Sequence, residues 1–475
     1  MHSDRSTSGG LDLHLDLGGP LGRRASLEQA LRQAIRSGRL PGDSRLPSTR
    51  ALAADLGLSR GTVTDAYDQL ATEGWLVARR GSGTRVAAAR RSASGPPARR
   101  PGQADTAITA RHDFRPGRGD VSNFPRRSWV AALRRALREA EDADLDYGDA
   151  RGQRRLREAL AAYLGRARGL PVDPAMVVVC NGWVQGFALL AEAFRASGIR
   201  RLAVEDPSMP RNPAALRRMG LGVASVPVDD LGADPTRMGH GEDVGGAVLT
   251  PAHQYPTGVT LSAERRTGWI AWARAHEAVL VEDDYDGEFR YDRQPVGALA
   301  ALDPERVIYV GTTSKSLAPG IRLGWMVLPR RWLDAVTDLR ATVDRHTGAL
   351  DQLAMAELLA SGAFDRHVRH ARLRYRRRRD LLLALLADRV PAVAAHGIAA
   401  GLHCVIELPA GGPDEAEVVR HLARAQVAVH GLSDYRRRGR TDHPPALVVG
   451  FATPPEHGFV VGALVLADAL AELYP

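Results

Sequence analysis

Five short, uninterrupted apolar runs constrain this chain more than any other feature of it. They fall at 177–180, 202–205, 247–250, 279–282 and 307–310, with segments of helical period between them. A strand that is apolar at successive positions is buried on both faces, and such strands alternating with helices pack as an open, mainly parallel sheet. The larger part of the chain is therefore expected to be an α/β domain. From about 335 onward the pattern is helix-rich and ends in a small α+β region around 403–407 and 446–451. At 475 residues the chain exceeds the size at which a single core stops growing, so more than one domain is expected.

The N-terminal part has a different pattern. Leu27, Ala30, Leu31, Ala34 and Ile35 recur at helical spacing, and Gly38 with Pro41 and Gly42 closes that helix. Ser48 is placed to cap a second helix that Gly57 ends, and Ser59 to cap a third running through Val63, Ala66, Tyr67 and Leu70. Two short runs at 75–78 and 84–87, joined by a tight Arg/Gly/Ser turn, form a hairpin. Residues 20–86 are thus read as one small domain. The Ala, Pro, Gly, Ser and Arg of 87–111, with no apolar period, form a linker, and 112–475 form the large domain.

Of the 64 basic residues, Lys315 is the one lysine and the rest are arginine. Arginine replaces lysine as a surface cation, but its guanidinium stays protonated and cannot form the imine that an amine makes with an aldehyde. A formal charge of +9 suits a polyanionic partner without proving one. Cys180 and Cys404 are too few for a disulfide framework or a thiolate cage and are read as small buried hydrophobes. No apolar run reaches a membrane span, and the first twenty residues lack the pattern of a secretory signal, so no membrane partner and a cytoplasmic location are expected.

Residues 38–86 resemble the GntR-type winged helix-turn-helix almost throughout. That resemblance implies double-stranded DNA as partner. It offers Ser59, Arg60, Gly61, Thr62 and Thr64, in the first turn of the third helix, to the major groove, where Arg60 could reach a guanine edge. Ser48 and Arg50 at the second helix, with Arg80 and Gly81 at the wing, would touch phosphate and minor groove. Residues 1–90 hold 13 arginines against 9 acids. One unit therefore neutralises few phosphates, and useful affinity needs a dimer on two half-sites.

Residues 307–325 resemble the Schiff-base loop of fold-type I enzymes that use pyridoxal 5′-phosphate (PLP), the aspartate aminotransferase superfamily. The resemblance implies an internal aldimine on Lys315, with Thr312, Ser314 and Arg322 around the cofactor phosphate. Burial and the neighbouring Arg322 are expected to favour the unprotonated amine. At 281–289 it places Asp283 against the pyridine nitrogen and Tyr285 on the ring 3′-oxygen. Glu282, Asp283, Asp284 and Asp286 are not read as a metal site, because successive strand residues point to opposite faces. At 250–258 the ending Pro256, Thr257 and Gly258 matches the family's turn with Tyr255 at its asparagine position, and His253 and Gln254 lie just upstream. Weaker matches add the backbone N–H groups of Gly182 and Trp183 for the phosphate, Tyr147 for the cofactor of a partner subunit, and Met209 at the usual stacking aromatic. Arg211 and Arg440 are the candidates for an effector carboxylate, the family's arginine at the start of the last strand being absent.

The order of winged helix, linker and aminotransferase-like domain resembles the MocR-type regulators of the GntR family from about residue 20 to the end. The implied protein is a head-to-tail homodimer in which PLP, alone or as an aldimine with an amine or amino-acid effector, alters DNA binding. Two other readings stay open at this point: a working aminotransferase with an appended DNA-binding domain, and a DNA-binding module whose large domain only dimerises.

Overall fold

The computed structural model describes residues 22–79, 83–87, 110–238, 243–291, 296–437 and 444–474. The chain divides into two compact units, Met1–Asp105 and Thr106–Pro475.

In the first unit helices span Arg23–Arg36, Thr49–Leu56 and Arg60–Thr72, followed by the antiparallel strands Leu76–Arg79 and Gly83–Val86. The third helix buries Val63, Ala66, Tyr67 and Leu70 against Leu27, Leu31 and Leu52. Gly57 ends the second helix in the left-handed region at φ 63°, which lets Leu58 N–H reach back to the Ala53 carbonyl at 3.0 Å and turns the chain into the third helix. The Tyr67 hydroxyl donates to the Pro47 carbonyl at 3.1 Å, fastening the third helix to the entrance of the second.

The second unit is built on an eight-stranded sheet in the order Val177–Cys180, Gly324–Val327, Val307–Thr312, Val279–Asp284, Gly246–Leu249, Arg201–Asp206, Gly222–Asp229, Gly232–Ala233. The five strands from Val307–Thr312 to Gly222–Asp229 run parallel, while Gly324–Val327 is antiparallel to both its neighbours. The sheet is mixed, with a parallel centre. Val177–Cys180, Gly246–Leu249 and Val307–Thr312 are buried at every position, as strands with helices on both faces must be. Three strands escape the apolar-run criterion, the shortest being Gly232–Ala233. Gly222–Asp229 alternates buried and half-buried residues, and Gly324–Val327 is only four residues long.

The 27-residue helix Ala363–Arg389 leads from this sheet to a second core. There the antiparallel strands Ala394–His396, Cys404–Glu407, Ala446–Val449 and His430–Gly431 are accompanied by helices Glu415–Arg424 and Glu456–Ala471. Burial pushes the thiols of Cys180 and Cys404 up, to about 11 and about 12. Among the described residues no helix is long and apolar enough to cross a membrane.

Candidate functional site

In sheets of this kind, loops at the carboxyl ends of the parallel strands leave a crevice where ligands bind. Here they enclose a cavity lined by Gly117, Trp183, Met209, Asp283, Tyr285 and Lys315, among other residues. Lys315 follows the strand Val307–Thr312, and Asp283 sits near the end of the adjacent strand, paired in register with Val310. The Lys315 ammonium donates to the Gly117 carbonyl at 2.5 Å. Burial holds this amine below its ordinary value, while Asp283 and Asp286 pull it upward. Arg322, expected to assist, is not among the causes; the assistance comes from burial alone. Burial pushes Asp283 well above the usual carboxylate range, and Lys315 opposes that shift.

Strand alternation sends the four acids of 282–286 to separate partners. Glu282 accepts from the backbone N–H groups of Leu299 and Ala300, each at 2.9 Å. Asp284 pairs with Arg168 at 2.6 Å and accepts from the Tyr309 hydroxyl at 2.6 Å. Asp286 faces His253 at 2.9 Å, and Asp283 lines the cavity.

One end of the cavity has the chemistry of an anion cradle. Gly182 caps the helix Trp183–Ala196 with φ 78°. A Cβ on Gly182 would stand 3.6 Å from the Arg322 guanidinium and 4.0 Å from Thr312 Oγ1, so helix N-terminus, cation and hydroxyl meet around a space that only glycine leaves open. Thr312 Oγ1 donates to Ser314 Oγ at 3.0 Å. Arg322 is held in the left-handed region at φ 54°, a backbone strain found where function fixes a side chain. It has no hydrogen-bonding or ion-pair partner among the described residues.

Tyr255 and Tyr285 meet edge to face with centroids 5.7 Å apart, and the Tyr255 hydroxyl donates to that of Tyr435 at 3.2 Å. Met209 is half-buried on the lining. Trp183 supplies a ring as well as a backbone N–H: its indole stacks on Phe187 at 4.9 Å and donates to Asn212 Oδ1 at 3.1 Å. Arg211 is the first residue of the helix Arg211–Arg218, is exposed, and is not among the residues that line the cavity. Tyr147 is 76% exposed, with Arg345 over its ring at 4.6 Å, and takes no part in the cavity of its own chain. Arg440 lies outside the described residues.

Sequence reasoning missed Glu205. This buried cavity residue accepts from Thr250 N–H at 3.2 Å, Thr250 Oγ1 at 2.5 Å and Gln254 Nε2 at 3.1 Å, and burial pushes it up to about 7. An acid closing an otherwise apolar strand was the signal available. Gly117, on a loop, and Tyr435, at the end of the short helical turn Leu432–Tyr435, carried none, since each comes from a segment distant in sequence.

In the small unit, Ser48 Oγ accepts from Ala51 N–H at 3.2 Å, and Ser59 Oγ accepts from Thr62 N–H at 3.1 Å while sharing a proton with Thr62 Oγ1 at 2.8 Å. The Thr64 hydroxyl donates to the Arg60 carbonyl at 2.9 Å. These hydroxyls build the helix ends, and Arg50, Arg60 and Gly61 stand exposed beside them. Arg80 and Gly81 lie outside the described residues.

Residues 23–86 match the gntR family of bacterial regulatory proteins, and residues 117–440 match the aminotransferase class I and II family. The chain is 35% identical to an HTH-type pyridoxine biosynthesis transcriptional regulator, PdxR of Corynebacterium glutamicum, over 90% of this chain and 92% of that protein. It is 34% identical to the probable rhizopine catabolism regulatory protein MocR of Rhizobium meliloti, over 78% and 79%. It is also 34% identical to the HTH-type transcriptional regulator TauR of Rhodobacter capsulatus, over 86% and 89%. Among solved structures, an archaeal alanine:glyoxylate aminotransferase superposes with a TM-score of 0.68 at 26% identity, covering 76% of this chain and 91% of that one. The Thermus thermophilus α-aminoadipate aminotransferase LysN, complexed with N-(5′-phosphopyridoxyl)-L-leucine, gives 0.66 at 26%, covering 76% and 92%.

Proposed function

The chain belongs to the MocR-type transcriptional regulators, in which a gntR-family helix-turn-helix region precedes an aminotransferase class I and II region, and from that premise we propose that its large unit senses PLP and thereby governs DNA binding by the small one. One observation carries the reading. The only lysine of the chain and the half-buried carboxyl of Asp283 share a cavity with Trp183, Thr312 and Ser314, next to which Gly182 caps a helix and the Arg322 guanidinium has no partner among the described residues.

These groups fit what PLP requires: an amine for the aldehyde, an acid for the pyridine nitrogen, and donors for the phosphate. When bound, the cofactor supplies an electrophilic carbon and an electron-withdrawing ring. Lys315 would hold the aldehyde carbon covalently, and Asp283 would keep the ring nitrogen protonated. Tyr285 would donate to the ring oxygen, with Tyr255 packed edge-on against it. Thr312, Ser314, Arg322 and the N–H groups of Gly182 and Trp183 would hold the phosphate, and Met209 would cover a ring face. The corynebacterial relative is named for pyridoxine biosynthesis and the rhizobial one for rhizopine catabolism, so the cofactor itself and a small amine or amino acid are the effectors to test.

DNA as partner belongs to a cytoplasmic protein and calls for two reading heads on two half-sites. Self-association, head-to-tail as the family resemblance implies, is supported by exposed apolar residues of the large unit: Leu145 and Leu350 lie on contacting helices, Tyr147 sits beneath Arg345, two residues past Val343, and the four are between 42% and 76% exposed. Single exposed apolar residues are ordinary, but a group of them marks an interface.

The test is an absorbance spectrum of the protein with PLP, repeated for Lys315→Ala, with mobility-shift assays on DNA upstream of its own gene. A band near ~420 nm that vanishes in the variant, together with operator affinity that changes with PLP or an amine, is expected. No band sinks the cofactor reading. A band with rapid amino-group transfer and no DNA shift favours a working aminotransferase, an outcome kept in view by the intact Lys315, Asp283 and Tyr285.

A further inference from the structure

The wall behind Tyr285 holds a hydrogen-bonded group that the cofactor reading leaves unexplained. His253 Nδ1 stands 2.9 Å from Asp286 Oδ2 and 3.0 Å from the Tyr285 hydroxyl. The three side chains are buried, His253 and Asp286 almost completely. His253 is also boxed in by glycine. A Cβ on Gly401, which takes φ +72°, would fall 1.9 Å from the imidazole Cε1, and one on Gly258 would fall 3.4 Å from Nε2. The backbone has been cleared to admit this ring in one place.

The ionisable groups facing His253 come from three segments. Asp286 and Tyr285 follow the strand Val279–Asp284, and Tyr255 shares the turn that carries His253 itself. His403 precedes the strand Cys404–Glu407, with its ring centroid 5.2 Å away. Its Nε2–H donates to the Pro256 carbonyl at 2.9 Å, and burial with His253 alongside pushes it down to about 3, so it is neutral. Asp283 and Lys315 complete the set across the cavity.

One nitrogen thus faces two oxygens. A carboxylate accepts and never donates, so Nδ1 carries the imidazole proton and gives it to Asp286. With that proton in place Nδ1 has no lone pair, and the Tyr285 hydroxyl cannot donate to it. Asp286 is the other acceptor beside the phenol and interacts with it, but its Oδ2 already accepts from His253. A ring oxygen presented in the cavity, on whose lining both Tyr285 and Lys315 lie, therefore competes for the phenol proton on better terms than it would with His253 absent.

We propose that His253 is a positioning residue: by donating Nδ1–H to Asp286 it directs the Tyr285 phenol proton into the cavity, onto the ring oxygen of a cofactor bound at Lys315. The inference rests on the cofactor reading above and adds to it a residue that does not itself line the cavity. A phenol donating to that ring oxygen stabilises its negative charge, so the Lys315-linked chromophore gives up its proton at lower pH. Without His253 the phenol turns to Asp286, and the chromophore holds its proton to higher pH.

The experiment is a titration of the full-length, PLP-loaded protein by absorbance from pH ~6 to ~10, a range spanning imine and phenol ionisation. His253→Leu and His253→Gln are each expected to raise the midpoint by about one pH unit. Tyr285→Phe should raise it at least as far, and the His253→Leu/Tyr285→Phe double variant no further, because both changes remove one hydrogen bond. His253→Asn keeps an N–H where Nδ1 stood and should retain the wild-type midpoint even if the bulkier changes unfold the site. A wild-type midpoint in the Leu and Gln variants, or additive shifts in the double variant, overturns the proposal. A wild-type protein with no Lys315-dependent band is a different result: it removes the cofactor reading, and this inference with it.

Discussion

The amine of Lys315 and the carboxyl of Asp283 are both pressed by burial toward their neutral forms, and each resists the other's shift. Lys315 stood out in the sequence as the one lysine among 64 basic residues, and the structure puts it on the cavity lining. Arg211, a candidate for an effector carboxylate, lies two residues beyond the lining residue Met209 but faces solvent. Met209 lines the cavity, but after Pro210 a helix begins and carries position 211 out to solvent. Arg322→Met removes the cation beside Gly182 and is expected to weaken PLP binding about 10- to 100-fold by fluorescence titration, the range for one charge-assisted contact. Unchanged affinity would place the phosphate elsewhere. Glu205 makes a second expectation. Its folded value of about 7 lies above the ordinary 4.5. Between these values the folded chain keeps a proton that the unfolded chain has lost, so the group's contribution to stability declines as pH rises through that window. The loss should be on the order of 1 kcal/mol per pH unit, and Glu205→Gln should flatten that part of the profile in denaturant melts.

At the scale of elements, helices with strong period and explicit caps could be read closely. Ser48, Ser59 and Gly57 occupy the cap positions that their chemistry suits. Strands were harder to read. The buried runs announced themselves, whereas Gly222–Asp229 alternates in burial and Gly324–Val327 owes its place to tertiary packing, its Trp325 so close to Gly311 that a Cβ there would fall 2.5 Å from the indole. In the DNA-reading unit, Ser59→Ala should cost about 1 kcal/mol of stability through the lost cap. Arg60→Ala should leave the melting temperature unchanged yet lower operator affinity by about 1–3 kcal/mol, if it reaches a base edge. Equal loss of affinity on unrelated DNA would instead assign Arg60 to phosphate.

For the whole molecule, a small helical unit before a large α/β unit was visible from the change of pattern near residue 87 and became a DNA reader through its resemblance to the GntR type, while the exposed apolar group on the large unit was not visible. Its members come from segments two hundred residues apart, and a one-dimensional pattern cannot gather them. Replacing Leu145 and Val343 by Asp should convert a dimer to monomers in light scattering and weaken operator binding, with the salt dependence falling as one reading head is lost. A monomeric wild-type protein would refute the interface.

The enclosed lysine also sets what the rest of the surface is. Apart from the chain's own N-terminus, the molecule has one primary amine, and its Nζ is held against the Gly117 carbonyl inside the cavity. Acylating enzymes, reducing sugars and amine-reactive dyes therefore find almost nothing to attack on the exterior. The outer cations are guanidinium groups that keep their charge far into alkali, so the protein presents DNA with a field that neither acetylation nor a moderate rise in pH can switch off.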